Sequence, residues 1–252
     1  MLKKLVSKLA LRLGYEYNPL LGRRGRTYLS DHEAFVLERV KPYTLTSAAR
    51  ILSVVKSISY ICRSGIPGAI VECGVWRGGS MLAAALTLSA EGDTNRELYL
   101  FDTFEGMSAP SDRDRDHAGR SARDLLAATA TSAEVLCEAG IDDVKRTMQL
   151  SAYPEERMHF VAGKVEDTLP GAAPEQIALL RLDTDWYEST YHELVHLYPA
   201  LEIGGVLIID DYGYWRGARE ATDKYFSESN AAPILLNSID FTGRIAVKCR
   251  SR

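Results

Sequence analysis

The sequence predicts an α/β fold built on a mostly parallel β-sheet with helices on both of its faces. Two observations lead to this prediction. From residue 69 onward, short runs rich in β-branched and other apolar residues alternate with segments of helical periodicity. The last two runs lie so close together that no crossover helix fits between them, so they should form an antiparallel hairpin at the end of the sheet.

Seven strands and four helices are predicted in this part of the chain and just before it. The strands cover residues 69–73, 97–101, 158–161, 177–182, 205–209, 233–237 and 244–249. The spacing of apolar residues predicts helices over 79–90, 188–198 and 215–228, and a helix over 47–63 that packs against the sheet.

The N-terminal segment, residues 2–13, is predicted to be an amphipathic helix. Its apolar residues recur at helical spacing, and its lysines and arginines lie mostly on the other side. The charges interrupt it too often for a secretory signal. We expect this helix to pack on its own domain or on a second subunit, with attachment to a membrane surface as the alternative.

The composition is that of an ordinary globular protein. The 252 residues are 46% hydrophobic and 25% charged, which excludes disordered, collagen-like and coiled-coil chains. The net charge of −4 does not favour a nucleic acid as the main partner. No apolar run approaches the roughly 18 residues of a membrane span. The four cysteines form no CxxC or Cys/His pattern, so we expect reduced thiols in a cytoplasmic protein.

A long insert separates the second and third predicted strands. It begins with the polar sequence SDRDRDHAGRS and continues through two helical patterns, one opened by a capping box of Thr131 and Glu134. An insert of this length is often a lid, whereas its charged beginning alone is typical of a solvated, mobile loop. We expect one domain, residues 1–252, with an N-terminal helical region 1–65 and a core 66–252 that carries the insert at 108–152.

The first strand runs into a glycine-rich turn with the sequence AIVECGVWRGGS. Gly74 permits a tight turn, and Gly78 and Gly79 let backbone approach a ligand where the next helix begins with free N–H groups. Val75 and Trp76 fill the space that a dinucleotide fingerprint leaves open for pyrophosphate, which argues against NAD. A cofactor without phosphate between its ribose and its tail fits better.

Two acids flank this turn. Glu72, near the end of the first strand, either orients the turn or meets a cation. Asp102 follows the next strand, where an acid reaches ribose hydroxyls bound over the first loop. A tight turn without a ligand is the alternative, but the pairing of the loop with Asp102 favours a nucleotide-type cofactor.

Four aspartates follow two neighbouring predicted strands. Asp183 and Asp185 come directly after ALLRL, and Asp210 and Asp211 directly after GGVLII. Because the carboxyl ends of parallel strands meet at one edge of a sheet, these side chains should converge there. Four carboxylates repel one another unless a cation neutralises them, and an all-oxygen set favours Mg²⁺, with Mn²⁺ or Ca²⁺ as alternatives. The competing interpretation is that one or two of them, such as Asp185, cap helices.

An HExxH pattern is present at His192, Glu193 and His196, the arrangement of zinc proteases. The predicted helix that carries it connects two parallel strands and ends at Pro199, and no third ligand follows at a suitable spacing. We therefore interpret the two histidines as surface or partly buried helix residues, and we regard a zinc protease as the disfavoured alternative.

Together these motifs resemble class I S-adenosylmethionine-dependent O-methyltransferases, and most closely the macrocin O-methyltransferase family, which methylates sugar hydroxyls of macrolide and aminocoumarin antibiotics. The similarity covers about residues 40–249 and is carried by VECGVWRGGS, YLFDTFEGM, GKVEDTLP, LDTDWYEST and GGVLIIDDYG, in that order. It implies a Rossmann-like fold of seven strands with a terminal antiparallel hairpin, N-terminal helices and a helical lid insert.

The resemblance also implies a role for each site residue. Asp183, Asp210 and Asp211 would ligate Mg²⁺, and Asp185 would be the general base; catechol-type relatives carry Asn at the position of Asp211, and the sugar-methylating relatives share the Asp. Six residues would bind S-adenosylmethionine: Glu72 and Gly74 around the methionine, Ser80 at its carboxylate, Asp102 at the ribose, and Val165 and Glu166 against the adenine.

Three functions are consistent with this interpretation. The first is an S-adenosylmethionine- and Mg²⁺-dependent O-methyltransferase that acts on a sugar hydroxyl of a glycosylated secondary metabolite in antibiotic biosynthesis. The second is a catechol-type enzyme that methylates a phenolic diol, and the third is a non-catalytic S-adenosylmethionine-binding module, which would not need Asp185 beside a metal site. We expect a small glycoside or sugar acceptor, no nucleic-acid or membrane partner, and a homo-oligomer.

Overall fold

The computed structural model describes residues 29–129, 139–228 and 232–249. One seven-stranded sheet has the order β3-β2-β1-β4-β5-β7-β6. The strands are β1 (Ala69–Cys73), β2 (Leu98–Asp102), β3 (Met158–Ala162), β4 (Ile177–Leu182), β5 (Leu201–Ile209), β6 (Asn237–Ser238) and β7 (Arg244–Val247). The pairs among β1 to β5 are parallel, whereas β7 runs antiparallel to both β5 and β6. The predicted fold class, with its terminal hairpin, is confirmed.

Eight α-helices are present in the described part of the chain. They are α1 (Asp31–Val40), α2 (Ala48–Arg63), α3 (Gly79–Glu91), α4 (Ala122–Thr129), α5 (Ile141–Gln149), α6 (Val165–Thr168), α7 (Tyr187–Leu197) and α8 (Arg216–Glu228). None of the helices in these ranges has the length and hydrophobicity needed to cross a membrane. The predicted N-terminal helix at 2–13 and the predicted capping box of Thr131 and Glu134 lie outside the described residues.

Alternate side chains of the strands point to opposite faces of the sheet, and each face buries its own apolar cluster. On one face, residues such as Ile70, Leu100 and Ile208 pack with α1, α2, α3 and α5. On the other, residues such as Val71 and Leu207 pack with α6, α7 and α8. The helices on both faces explain why β1 and β4 are apolar at almost every position.

The sheet register brings the ends of the three central strands level with one another. Cys73 pairs with Leu182, and Leu182 pairs with Ile209. Backbone bonds continue this alignment one residue further, because Asp183 N donates to Cys73 O at 2.8 Å and Asp210 N donates to Leu182 O at 2.9 Å. The residues that follow β1, β4 and β5 therefore start from one edge of the sheet.

The largest differences from the predicted extents are at two strands. β5 begins at Leu201 rather than 205, where it still pairs with Ile177. β6 contains only Asn237–Ser238 instead of 233–237. Residues 232–236 form no ladder, and Leu235 is 77% exposed, so this apolar run resembles a strand in composition only.

The beginning of the insert is also different from a solvated loop. Asp114 is 1% exposed and Asp116 is fully buried, although their neighbours Asp112, Arg113 and Arg115 are exposed. Charge alone suggested solvation for all of these residues. The alternation of buried acid and exposed charge is instead that of a segment that is docked on the body of the protein.

Candidate active site

One cavity at the carboxyl edge of the sheet collects all the predicted site residues. Its volume is about 1120 Å³, including its opening to solvent. Its lining contains Glu72, Gly74, Ser80, Asp102, Val165, Glu166, Asp183, Asp185, Asp210 and Asp211. These residues come from five separate segments of the chain, and only the parallel sheet brings them together.

The turn after β1 is shaped by close backbone contacts. Gly74 has φ +80°, and a Cβ there would lie 2.1 Å from the carbonyl oxygen of Asp183, so only glycine fits. A Cβ at Gly79 would lie 2.4 Å from the carbonyl oxygen of Tyr43, so the close approach of that backbone requires glycine there. Gly79 also lines the cavity, and its approach to a ligand stays a prediction. A Cβ at Gly78 would lie 3.1 Å from Cγ1 of Val144.

Asp102 organises the same turn from the end of β2. Its Oδ2 accepts hydrogen bonds from Val75 N at 2.7 Å and Trp76 N at 3.0 Å, and its Oδ1 accepts one from Phe104 N at 2.8 Å. These bonds hold Trp76 in the left-handed region at φ 46°. A carboxylate has about four lone-pair sites, so a further hydroxyl can still donate to Asp102. Its contact with a ribose stays a prediction.

The remaining predicted cofactor residues lie in two places around the cavity. Ser80 is 6% exposed, in the first turn of α3. Val165 is buried and Glu166 is exposed, both in the first turn of α6, which follows β3. This arrangement surrounds an elongated space that runs from the beginning of α3 to the loop after β3.

Three carboxylates meet closely enough to share one ion. Asp183, Asp210 and Asp211 each offer one oxygen, and these oxygens lie within 4.8 Å of one another. In the part of the chain that the structure describes, this is the one group of three or more such side chains that could hold a metal. The donor set is all oxygen, which suits a hard divalent cation.

Two buried arginines touch this acidic cluster, and the sequence analysis did not single out either of them. Arg181 of β4 is 2% exposed and bonds Glu72, Asp183 at 2.7 Å and Asp210 at 2.5 Å. Arg50 of α2 bonds the other oxygen of Asp210. The signal for Arg181 was its position inside the apolar run IALLRL, because a charge in a buried strand requires partners.

Arg50 also ties the cluster to the terminal hairpin. Its Nε lies 3.1 Å from Asp240 Oδ2, and Ser47 Oγ donates to the same oxygen at 2.6 Å. Arg50 and Asp210 are 160 residues apart, so no local pattern could have paired them.

The cluster has the electrostatics of a site for a cation. Burial raises the pKa of Asp183 well above its ordinary value, and Asp210 and Asp211 raise it further against the opposing effect of Arg181. Burial and the charges of Asp185 and Asp210 raise the pKa of Asp211 in the same way. Burial also acts on Asp210, but Arg181 and Arg50 outweigh it and hold its pKa below the ordinary value. The surroundings therefore favour the charge of Asp210 and disfavour the charges of Asp183 and Asp211.

Asp185 lies beside the cluster in an unusual backbone conformation. Its φ is +68°, in the left-handed region. Burial and the neighbouring charge of Asp183 raise its pKa to about 7. The residue at the N-cap of α7 is Trp186, so Asp185 is not the helix cap that the competing interpretation proposed. Asp185 is one of the residues that line the cavity.

The HExxH residues do not form a metal site in the described structure. Glu193 is fully buried beneath the cavity, and its Oε1 accepts a hydrogen bond from Thr184 Oγ1 at 2.9 Å. His192 and His196 are half-buried, with ring centroids 4.3 Å apart. No third ligand joins them among the described residues. Burial raises the pKa of Glu193 well above its ordinary value, which suits a neutral core acid.

A parallel sheet with an antiparallel β7 and a cofactor-sized cavity at its carboxyl edge defines a class I methyltransferase. The family is more specific than the fold. The model of the macrocin O-methyltransferase family (TylF) matches residues 30–247, so the chain belongs to this family and is an O-methyltransferase.

Three curated relatives agree with this assignment. Demethyldecarbamoylnovobiocin O-methyltransferase of Streptomyces niveus is 30% identical over 80% of this chain and 74% of its own. The 8-demethyl-8-(2,3-dimethoxy-alpha-L-rhamnosyl)-tetracenomycin-C 4'-O-methyltransferase of Streptomyces olivaceus is 34% identical over 73% and 67%. Mycinamicin III 3''-O-methyltransferase of Micromonospora griseorubida is 32% identical over 73% and 70%.

Solved structures show the same fold. The O-methyltransferase NovP matches with a TM-score of 0.71 and 29% identity, over 82% of this chain and 83% of its own. The calicheamicin methyltransferase CalS11 matches with a TM-score of 0.60 and 19% identity, over 97% and 91%, which is a likeness of fold alone.

Proposed function

We propose that the protein is an S-adenosylmethionine- and Mg²⁺-dependent O-methyltransferase that acts on a sugar hydroxyl of a glycosylated secondary metabolite. The observation that carries the proposal is Asp185, a carboxyl group with a raised pKa that lies beside three converging aspartates in the same cavity. A module that only binds the cofactor has no use for this combination.

The residues present fit Mg²⁺. Asp183, Asp210 and Asp211 offer three oxygens within reach of a single ion. Their mutual repulsion and burial, visible in the raised pKa values of Asp183 and Asp211, would be relieved by a divalent cation. Thiolate and imidazole ligands, which favour zinc, are absent from this set.

The cavity also fits the proposed cofactor. Ser80 and the free N–H groups at the beginning of α3 would hold the carboxylate of the methionine moiety. Asp102 would accept a ribose hydroxyl with its remaining lone pair, and Val165 and Glu166 would lie against the adenine. The N–H groups of Val75 and Trp76 already donate to Asp102 and so are not available to bind a pyrophosphate bridge.

The chemistry of methyl transfer to a sugar hydroxyl requires removal of a proton whose pKa is far above 7. When bound, S-adenosylmethionine would supply an electrophilic methyl group and Mg²⁺ would supply positive charge beside the acceptor hydroxyl, which lowers the pKa of that hydroxyl. Asp185 would take up the proton of the acceptor hydroxyl, and the cofactor would give up its methyl group and leave as S-adenosylhomocysteine. Arg181 and Arg50 keep Asp210 ionised and in place.

The class of acceptor is supported by the names of the relatives. The Streptomyces olivaceus enzyme is named for the 4' oxygen of a rhamnosyl tetracenomycin, and the other two are named for the 3'' oxygen of mycinamicin III and for demethyldecarbamoylnovobiocin. We propose an acceptor of the same kind here. The insert at 108–152 contributes Ser108 to the cavity and would be the wall or lid on the acceptor side. Homo-oligomerisation stays a prediction.

The test is methyl transfer to a panel of glycosides and catechols, with and without EDTA, combined with calorimetry of S-adenosylmethionine binding. We expect turnover of a glycoside that carries neighbouring hydroxyls, and loss of turnover when EDTA removes the divalent cation. Turnover of catechols alone would replace the sugar acceptor with a phenolic diol. Turnover that EDTA leaves unchanged would refute the metal-dependent mechanism, and cofactor binding without turnover of any diol would favour a binding module.

A further inference from the structure

Asp114, in the charged beginning of the insert, is buried among hydrogen-bond donors. Its Oδ2 accepts from Ser111 N at 2.7 Å and from Ser111 Oγ at 2.8 Å, and its Oδ1 accepts from Tyr187 N at 2.8 Å. Its backbone carbonyl accepts from Ala122 N at 2.8 Å, at the beginning of α4. Asp114 therefore connects the first turn of the insert with the first residue of α7, which is 73 positions further along the chain.

This contact gives the first N–H group of α7 a hydrogen-bond acceptor. The first N–H groups of a helix have no partner within the helix, and a side chain at the N-cap commonly accepts from one of them. The N-cap of α7 is Trp186, which makes no such bond. Asp114 takes this role from a distant part of the chain, and its negative charge is favourable at the positive end of a helix.

A second bond joins the same two segments. Trp186 Nε1 donates to the carbonyl oxygen of Ser108 at 2.9 Å. Asp185 directly precedes Trp186 and lies two positions before Tyr187. The two residues that follow the proposed base are thus both bonded to the beginning of the insert, one through its side chain and the other through its backbone.

The insert is held against α8 as well. A Cβ on Gly217 would lie 2.1 Å from Asp114 Oδ1, so the helix approaches the carboxylate at a position where only glycine fits. Arg216 N donates to the carbonyl oxygen of Arg115 at 2.8 Å, and the backbones of Asp116 and Trp215 form an isolated antiparallel β-bridge. The helices α7 and α8 follow the two strands that carry the acidic cluster, and Asp114 lies between their first turns.

We propose that Asp114 is a positioning residue for Asp185: it caps α7 in place of Asp185, so that the N–H of Tyr187 does not compete for the Asp185 carboxyl group. The inference rests on the proposed role of Asp185 as the base. An aspartate just before a helix is well suited to cap it, and the N–H of Tyr187, two positions after Asp185, is a donor that such a cap would use. The bonds from Asp114 and Trp186 remove that competition and hold the base and the insert in one arrangement.

The chemistry of the site explains why this residue is an acid. The three groups that point at its carboxylate are two N–H groups and one O–H group, and all three act here as donors. Asparagine keeps one carbonyl oxygen for Tyr187 N and is itself a good helix cap, but it turns an NH₂ group toward Ser111. Alanine removes both acceptors. The two substitutions therefore weaken the same contact to different extents, asparagine less than alanine.

The test compares Asp114→Ala, Asp114→Asn and Asp112→Asn in the full-length protein. Asp112 is the matched control because it lies two positions away, its side chain is 93% exposed, and its ion pair with Arg123 is long at 3.6 Å. We expect Asp114→Ala to lower kcat by about a hundredfold, the size associated with misplacement of reacting groups by about 1 Å. Calorimetric affinity for S-adenosylmethionine should change less than about twofold, because the turns after β1 and β2 are untouched. Asp114→Asn should restore most of the lost kcat, and Asp112→Asn should match the wild type.

A double-variant cycle separates positioning from a general effect on the fold. If Asp114 acts through Asp185, Asp114→Ala should have no further effect on the residual rate of an Asp185→Asn protein. The inference would be overturned if the rate losses of Asp114→Ala and Asp185→Asn multiplied in the double variant. It would also be overturned by an unchanged kcat in Asp114→Ala, or by a loss of cofactor affinity in that variant as large as its loss of kcat.

Two further measurements keep the inference testable if Asp114→Ala does not fold or no acceptor is found. Gly217→Ala would push a methyl group against the Asp114 carboxylate, so it should reproduce the kcat defect, and full activity in this variant would refute the cap. Hydrogen exchange needs no turnover: the amide of Tyr187 should be protected in the wild type and should exchange faster in Gly217→Ala, whereas Asp114→Asn and Asp112→Asn should stay close to the wild type. A wild type that shows this protection but methylates no diol would count against the proposed function and not against the cap.

Discussion

The Asp185→Asn substitution removes the charge of one carboxyl group and changes its size very little. Asparagine also tolerates the left-handed conformation that residue 185 adopts at φ +68°, so the backbone has no reason to move. The variant should lose the proton acceptor, and we expect kcat to fall by about 10²–10⁴, the usual contribution of a general base. Calorimetric affinity for S-adenosylmethionine should stay close to that of the wild type.

The same substitution should make the protein more stable at high pH. Burial, together with the charge of Asp183, raises the pKa of Asp185 from the ordinary 3.8 to about 7. A carboxyl group with a raised folded-state pKa stabilises the fold below pH 3.8, and this contribution is lost as the pH rises through 7. The shift of roughly three pKa units corresponds to about 4 kcal/mol at about pH 8. We expect asparagine to recover about 1–3 kcal/mol of this, because a buried amide still loses its hydration.

Thermal unfolding in EDTA checks this second effect without any acceptor. The advantage of Asp185→Asn over the wild type should be small at about pH 4 and should grow to about 5 °C in Tm at about pH 8. Full methyl transfer by the variant would show that another group removes the proton. If the difference in Tm between Asp185→Asn and the wild type did not change with pH, the surroundings of Asp185 would not oppose its charge.

Three other predictions follow from the buried charges. Arg181→Met leaves its carboxylate partners without their shared cation, so it should lower the free energy of unfolding by about 3–5 kcal/mol in urea titrations. Arg63→Met, at an exposed ion pair, should lower it by less than about 1 kcal/mol. Equal effects would show that Arg181 is not a buried, paired charge. Burial raises the pKa of Glu193, so the contribution of Glu193 to stability is lost as the pH rises above 4.5. In the same titration at about pH 8, Glu193→Gln should be at least as stable as the wild type. A large loss of stability in this variant would mean that Glu193 is ionised. Joint replacement of His192 and His196 by alanine should leave methyl transfer and the zinc content of untagged protein unchanged by elemental analysis, and a stoichiometric zinc ion lost on mutation would restore the metal interpretation.

The fold and the convergence of the site could be predicted from the sequence because both depend on short-range patterns. Alternating strand and helix periodicity implies a parallel sheet, and a parallel sheet brings residues such as Asp183 and Asp210 to one edge. Only the extents of the strands were in error, as at β6, where residues 232–236 have the composition of a strand but no ladder partner. Composition cannot distinguish a paired strand from an extended segment at the end of a sheet.

The partners of the site residues could not be predicted in this way. Sequence patterns indicated an acidic cluster that needs a cation, but not that Arg181 and Arg50 already neutralise part of it. They indicated a charged loop at the beginning of the insert, but not that Asp114 is buried there as the cap of a distant helix. In both cases the charge of the segment was read correctly and its surroundings were not.

By itself, the sequence determined the class of fold, the order of its elements and which acids stand at the ends of its strands, because these depend on residues close to one another along the chain. Only the tertiary structure decided which charges are paired, which turn is closed by Asp102 and which residue caps α7. Those contacts join residues as far apart along the chain as Arg50 and Asp240, and they depend on how helices and loops pack against the finished sheet. A pairing at that range leaves no periodicity in the chain, since its energy comes from burial and geometry that exist only once the chain is folded.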